Sequence, residues 1–178
     1  INRFTHIHQS NDDLIRKVRL LRAVGQQTGS CFQRCVGWDA LNTLYSVTYE
    51  MDQERGTNYH RRLVDYLKYV QNQDLMCDGA MTDPKGDRSR SPGQQADPDL
   101  YLRIVKRDRK GIVVRGAKNH ITMGPYVDEH LVIPTRALTE RESEWAVSFA
   151  IPADADGIKL ISRITTPRPR IDLQAPYN

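Results

Sequence analysis

The sequence predicts an α+β chain in which helices come first and strands follow. Three observations carry this. Apolar residues recur at helical spacing up to about Leu75, a Gly-, Pro-, Asp- and Ser-rich stretch runs from Met76 to Pro98, and short apolar runs separated by turn signals come after it. The division is residues 1–75 as a helical part, 76–99 as an ordered loop or linker, and 100–178 as a β part. At 178 residues and 39% hydrophobic, the chain suits one domain or parts of two, with enough apolar material for a core. It begins at Ile1 and ends in Gln174-Ala175-Pro176-Tyr177-Asn178 without a recognisable element, so it reads as a piece of a longer polypeptide.

The first helix is expected over Asn11 to Val24, with Leu14, Ile15, Val18 and Leu21 on one face and Arg16 and Arg19 opposite. Ser10 or Asn11 supplies its N-cap, and Asp12 and Asp13 favour its first turn. Gly25-Gln26-Gln27-Thr28-Gly29-Ser30 breaks the pattern, and Ser30 can cap a second helix from Cys31 to about Arg55. There Val36, Ala40, Leu44, Val47 and Met51 form the apolar stripe and Gly56 ends the helix. A third helix covers Asn58 to Asn72, with Leu63, Tyr66, Leu67 and Val70 inward. Strands are expected at Leu100 to Val105, Gly111 to Ala117, His130 to Pro134, Trp145 to Ile151 and Ile158 to Ile161. Asp108-Arg109-Lys110-Gly111 and Asp154-Ala155-Asp156-Gly157 are the turns between them. With no helical run long enough for a parallel crossover, an antiparallel sheet or barrel is expected.

Charge excludes some partners. The net charge is +4 and basic residues alternate with acidic ones, which argues against a nucleic-acid footprint. No apolar run approaches a membrane span. Three cysteines with no disulfide framework suit a reducing, cytoplasmic setting.

The chemistry centres on Cys31-Phe32-Gln33-Arg34-Cys35, two thiols one helical turn apart. Such a pair can hold one side of a metal or an iron–sulfur cluster, but taken alone it is more often two small buried side chains. Met81-Thr82-Asp83-Pro84-Lys85-Gly86-Asp87-Arg88 reads by itself as a turn-rich chain reversal and is not a Walker A or Rossmann fingerprint, though Gly86 allows close backbone approach. Lys118-Asn119-His120-Ile121-Thr122 follows a strand and precedes Gly124-Pro125, at a strand end facing a loop. His6, His8 and His130 have no supporting constellation, Cys77 reads as an inert small residue, and His60 as a cap or surface group as readily as a catalytic one.

Taken with Gly56-Thr57-Asn58-Tyr59-His60, Asp78-Gly79-Ala80-Met81, Gln95-Ala96-Asp97-Pro98-Asp99-Leu100 and Gly111 to Lys118, these motifs resemble the 4-hydroxyphenylacetate 3-hydroxylase family of flavoproteins, in its 4-hydroxybutyryl-CoA dehydratase branch. The resemblance implies an acyl-CoA-dehydrogenase-like fold. This chain would supply part of the N-terminal helical domain and part of the antiparallel middle β domain, without the C-terminal helical bundle. It implies FAD and a 4Fe-4S cluster, an acyl-CoA substrate, a homotetramer, and radical dehydration of 4-hydroxybutyryl-CoA to crotonyl-CoA with vinylacetyl-CoA isomerisation.

By the same resemblance, Cys31 and Cys35 are two of the cluster ligands, the others lying outside these residues, and Gln33 lies in the active-site region. Met81, Thr82, Asp83, Pro84, Lys85, Gly86, Asp87 and Arg88 form a flavin segment. His120, Ile121 and Thr122 contact the flavin, with Thr122 near its redox-active ring. Met123-Gly124-Pro125-Tyr126 is closer to the hydroxylase branch, whose members are two-component monooxygenases of phenols and have no need of Cys31 and Cys35. A third reading is a cofactor-free fragment acting as a structural partner.

Overall fold

A computed structural model describes residues 3–29 and 34–162. Three helices precede five strands: α1 (Asn11–Thr28), α2 (Arg34–Arg55), α3 (Tyr59–Gln73), β1 (Cys77–Ala80), β2 (Arg103–Asp108), β3 (Gly111–Arg115), β4 (Glu129–Val132) and β5 (Phe149–Pro152).

Local chemistry sets the helix ends. The Ser10 hydroxyl accepts from the Asp13 amide, as expected of an N-cap. Helix α1 runs through Gly25 to Thr28, four residues past its predicted end. One interior glycine costs only about 1 kcal/mol against alanine, and Gly29, at φ 65°, closes the helix with its N–H on the Gly25 carbonyl. The apolar stripe of α1 forms as predicted but stays about half exposed at Leu14, Ile15 and Val18, and none of its residues is buried. The predicted cap Ser30 and the first residues assigned to α2, Cys31 to Gln33, lie outside the described residues.

Gly56, at φ 62°, ends α2 as expected. The cap of α3 comes from one helix earlier, not from Asn58. Asp52 accepts from the Thr57 hydroxyl (2.6 Å), the Tyr59 amide (2.8 Å) and the His60 amide (2.9 Å). His60 is a structural residue, held edge-on between Tyr45 and Tyr49 and within 3.2 Å of the Thr48 hydroxyl.

The sheet departs from expectation. Cys77–Ala80, predicted as loop, is a strand, and it pairs in parallel with β4, Cys77 opposite Glu129 and Ala80 opposite Val132. Strand β5 then pairs antiparallel with β4, giving a mixed sheet of order β1-β4-β5 where an antiparallel one was predicted. No local crossover helix was needed, because the connection from β1 to β4 passes through the whole β2–β3 hairpin. That hairpin is antiparallel and turns at Asp108 to Gly111 as predicted. Ile158 to Ile161, predicted as a strand, is irregular, with Ile161 94% exposed. Two other strands are displaced, Leu100–Val105 to Arg103–Asp108 and Trp145–Ile151 to Phe149–Pro152.

The core lies where α2 and α3 cover one face of β1 and β4: Ala40, Leu41, Leu67, Val70, Cys77 and Leu131. Gly37 marks the closest approach. A methyl group built on it would stand 2.3 Å from the Cys77 carbonyl oxygen, so α2 reaches the sheet only because that position has no side chain. The edge of this core is polar. The Tyr66 hydroxyl lies 3.4 Å from Glu129 Oε2 and 3.8 Å from Cys77 Sγ. Burial holds the Glu129 carboxyl above its usual range and the Tyr66 phenol far above its own, and it pushes the Cys77 thiol from 9.0 up to about 11.

Two outcomes follow for the full-length protein. Substituting Gly37→Ala forces backbone apart and lowers stability by roughly 1–3 kcal/mol or more, seen as a reduced urea midpoint. Cys77 and Tyr66 keep their protons in the folded state at pH values where the unfolded chain has lost them. The folded state therefore binds more protons, and stability falls as pH rises from about 9 toward 11. A pH series of urea unfolding should show that decline and its reduction in C77A, and Cys77 should resist alkylation at pH 8 until the protein is unfolded.

Candidate functional site

The parallel pairing of β1 and β4 brings the two predicted site segments together, because each runs past the carboxyl ends of these strands. Lys118 is the junction. Its ammonium donates to Asp83 Oδ1 (2.7 Å), to the Met81 carbonyl (3.0 Å) and to the Ile133 carbonyl (3.1 Å), which uses all three of its hydrogens. Lysine and aspartate side chains are only 10% and 14% exposed, so this ion pair is largely withdrawn from water. The Asn119 amide donates to the Thr82 carbonyl at 2.8 Å, and the Thr135 hydroxyl donates to the Met81 carbonyl.

Beyond this junction the first segment is shaped by Gln95, itself 9% exposed. Its side-chain carbonyl accepts from the Asp87 amide (3.0 Å), and its amide group donates to the carbonyls of Asp87, Arg90 and Ser91. Gly86 sits inside this turn. A methyl group there would fall within 2.7 Å of Gln95, Tyr101 and Leu100 side-chain atoms. Gly86 therefore serves the packing of its own loop. The Asp87 carboxylate is solvent-exposed, accepts from Ser89 Oγ (2.6 Å) and pairs with Arg90 (3.2 Å), and the Ser89 bond holds it below the usual carboxylate range. Lys85 and Arg88 are exposed and carry no ion pair among the described residues. The loop thus presents two free cations while its aspartates are engaged elsewhere.

The second segment is sharply bent. His120 (φ 56°) and Met123 (φ 65°) both adopt left-handed backbone, an uncommon and strained state for side chains of their size. They bracket Ile121 and Thr122, and Thr122 and His120 are exposed. Gly124, behind them, is buried against the sheet.

Cys35 falls in the first turn of α2, so the backbone there is helical. Cys31 and Gln33 lie outside the described residues. Cys77 is not available as a further thiolate, being 8% exposed within the core with its thiol kept protonated. Among the described residues no three His, Cys, Asp or Glu side chains are grouped as a metal site. Sequence reasoning assigned no role to His130, and this needs correction. It is buried and paired with Asp78, Nδ1 to Oδ2 at 2.8 Å. The sequence carried no signal for that pair, since the two residues are 52 positions apart.

No described helix is long and apolar enough to cross a membrane. Over residues 1–177 the chain matches the family model described as 4-hydroxyphenylacetate 3-hydroxylase N terminal. It is 58% identical over 161 residues to the 4-hydroxybutyryl-CoA dehydratase/vinylacetyl-CoA-Delta-isomerase of Clostridium aminobutyricum, covering 90% of this chain and 33% of that protein. It is 30% identical to the oxygenase component of 4-hydroxyphenylacetate 3-monooxygenase from Thermus thermophilus, over 88% of this chain and 32% of the relative. Among solved structures, an oxygen-tolerant archaeal 4-hydroxybutyryl-CoA dehydratase from N. maritimus superposes with a TM-score of 0.85 at 51% identity, over 88% of this chain and 31% of that one. A 4-hydroxyphenylacetate 3-monooxygenase oxygenase component solved with FAD gives 0.68 at 27%, over 87% of this chain and 31% of that one. The chain spans about a third of the length of these relatives.

If Lys118 is the clamp, K118M takes the charge partner from the Asp83 carboxylate and a donor from the Ile133 carbonyl, leaving the Met81 carbonyl on Thr135 alone, and costs about 3–5 kcal/mol in the full-length protein. Urea unfolding and limited proteolysis across residues 81–90 measure it. Removing both charges in K118M/D83L should recover part of the loss.

Proposed function

This chain belongs to the 4-hydroxyphenylacetate 3-hydroxylase N-terminal family, and from that premise we propose that it is the N-terminal third of a flavin- and iron–sulfur-dependent dehydratase of a 4-hydroxyacyl-CoA. In this reading residues 1–75 belong to the helical domain, 76–99 include the flavin loop and 100–178 belong to the middle β domain. The observation that carries it is the fastening of two flavin-type segments to one another by Lys118, in a chain 58% identical to a dehydratase.

The residues present suit the diphosphate of a dinucleotide. Lys85 and Arg88 are exposed cations with no ion pair among the described residues, while Asp83 is paired with Lys118 and Asp87 with Arg90. When bound, FAD supplies one-electron transfer and a 4Fe-4S cluster supplies a Lewis-acidic iron for the substrate hydroxyl. The protein's part is placement. Lys85 and Arg88 neutralise the diphosphate, and His120 and Ile121 line the adjoining edge. The Thr122 hydroxyl is presented on a rigid bend, where it can donate or accept a proton. Cys31 and Cys35 provide two thiolates near the start of α2, where the helix dipole favours negative charge. Gln33, between them, offers an amide to substrate. The remaining cluster ligands and the base for the α carbon come from the polypeptide outside these residues, or from a neighbouring subunit of a tetramer.

A phenol hydroxylase is the second reading, favoured by the fold shared with the FAD-bound monooxygenase component. Metal analysis separates the two. The full-length protein purified without air should contain flavin, with iron and acid-labile sulfide in equal amounts. C31S and C35S should each lose iron and sulfide while retaining flavin, with dehydration of 4-hydroxybutyryl-CoA reduced on the order of 100-fold or more. Wild-type protein holding flavin but no iron would sink the dehydratase assignment.

A further inference from the structure

The sheet has two buried faces, and the proposed chemistry uses neither. Side chains alternate along a strand, so Cys77, Glu129 and Leu131 face the helices while Asp78 and His130 face the other way. Asp78 and His130 are direct partners in the parallel ladder, and their side chains meet at 2.8 Å. Both are more than nine-tenths buried, at 5% and 7% side-chain exposure. The segment over them is the bend after Lys118. A methyl group built on Gly124 would lie 3.8 Å from Asp78 Oδ2 and 3.6 Å from Ile121 Cγ2. Its start is anchored by Lys118 and by the Asn119 amide on the Thr82 carbonyl. Beyond that, among the described residues, its backbone bonds are the short-range ones from Gly124 to Ile121 (3.2 Å) and Tyr126 to Met123 (2.7 Å), and it is strained at His120 and Met123. Where Gly124 turns back toward the sheet it rests on Asp78, the partner of His130.

The pair is also incompletely satisfied. Asp78 Oδ1 and His130 Nε2 are buried without a hydrogen-bond partner among the described residues. A buried polar pair with two idle atoms adds little to stability compared with an apolar pair of the same shape. What it does add is fixed geometry, since the carboxylate holds one ring nitrogen and thereby the orientation of the imidazole.

We propose that Asp78 and His130 are positioning residues that hold the Ile121–Gly124 bend, and with it the Thr122 hydroxyl, against the bound flavin. This rests on the flavin reading above. Neither residue touches the flavin in this role; both act through Thr122.

The test uses the full-length protein and FAD. In D78N and H130Q, the Kd for FAD should rise on the order of tenfold, and the visible spectrum and midpoint potential of the bound flavin should shift. T122V should shift the potential in the same direction, and D78N/T122V should shift it no further than T122V alone, because the pair acts through that hydroxyl. In the flavin-free protein, D78N should speed amide exchange across residues 119–127 and leave α2 and α3 unchanged. The paired apolar substitution D78V/H130F keeps the fold if single variants lose it, and it should give the same flavin shift. Wild-type FAD affinity and potential in these variants would overturn the inference and leave the flavin reading standing, as would strictly additive shifts in D78N/T122V. A wild-type protein that binds no FAD overturns both.

Discussion

The parallel pairing of Cys77–Ala80 with Glu129–Val132 is the constraint on which the rest depends. It is four residues long, yet it fixes three relationships together. It supplies the surface that α2 and α3 cover, it sets Asp78 beside His130, and it ends both strands at one level. Parallel strands leave their carboxyl ends on the same side, so the loops that follow start next to one another. Here those loops begin with Met81 and Ile133, and the Lys118 ammonium bonds to the carbonyl of each. In open α/β sheets ligands are taken up beyond the carboxyl ends of parallel strands. A two-strand parallel pair within a mixed sheet is enough to reproduce that geometry.

The two faces of the sheet solve different problems. Toward the helices, burial does most of the work. Leu41 and Val70 are essentially inaccessible, Gly37 allows α2 to approach, and the polar atoms of Tyr66, Glu129 and Cys77 are grouped at the margin where they satisfy one another. On the other face the polar pair sits under a bent loop, and burial alone would not specify that loop's shape. Of the aspartates in the first segment, Asp83 is held by Lys118 and Asp87 pairs with Arg90, and Lys85 and Arg88 carry no ion pair among the described residues.

Much of the local structure was legible. Ser10 capped α1, Gly56 closed α2, and Asp108 to Gly111 turned the hairpin, because each depends on residues within a few positions of one another. The segments 81–88 and 118–122 also stood out as motifs. The misses have a common physical origin. Cys77–Ala80 reads as Cys-Asp-Gly-Ala, a poor strand on propensity, and becomes one only because a partner arrives from 52 residues away. Ile158 to Ile161 has the composition of a strand but pairs with none of the described strands. His130 looked isolated because its partner belonged to a strand that had not been assigned. Asp52, which caps α3 from the preceding helix, was overlooked because cap reasoning looks only at the adjoining residue.

The sequence by itself determined the order of helices before strands and the principal turns, since these follow from short-range periodicity and turn chemistry. Only the tertiary structure decided that the two segments adjoin, that Lys118 is the group joining them, that Lys85 and Arg88 are left unpaired, and that a buried Asp–His pair underlies the bend at Thr122. These depend on strand register and on contacts between distant residues. A sheet pairing across 52 residues leaves no trace in the local pattern of either strand.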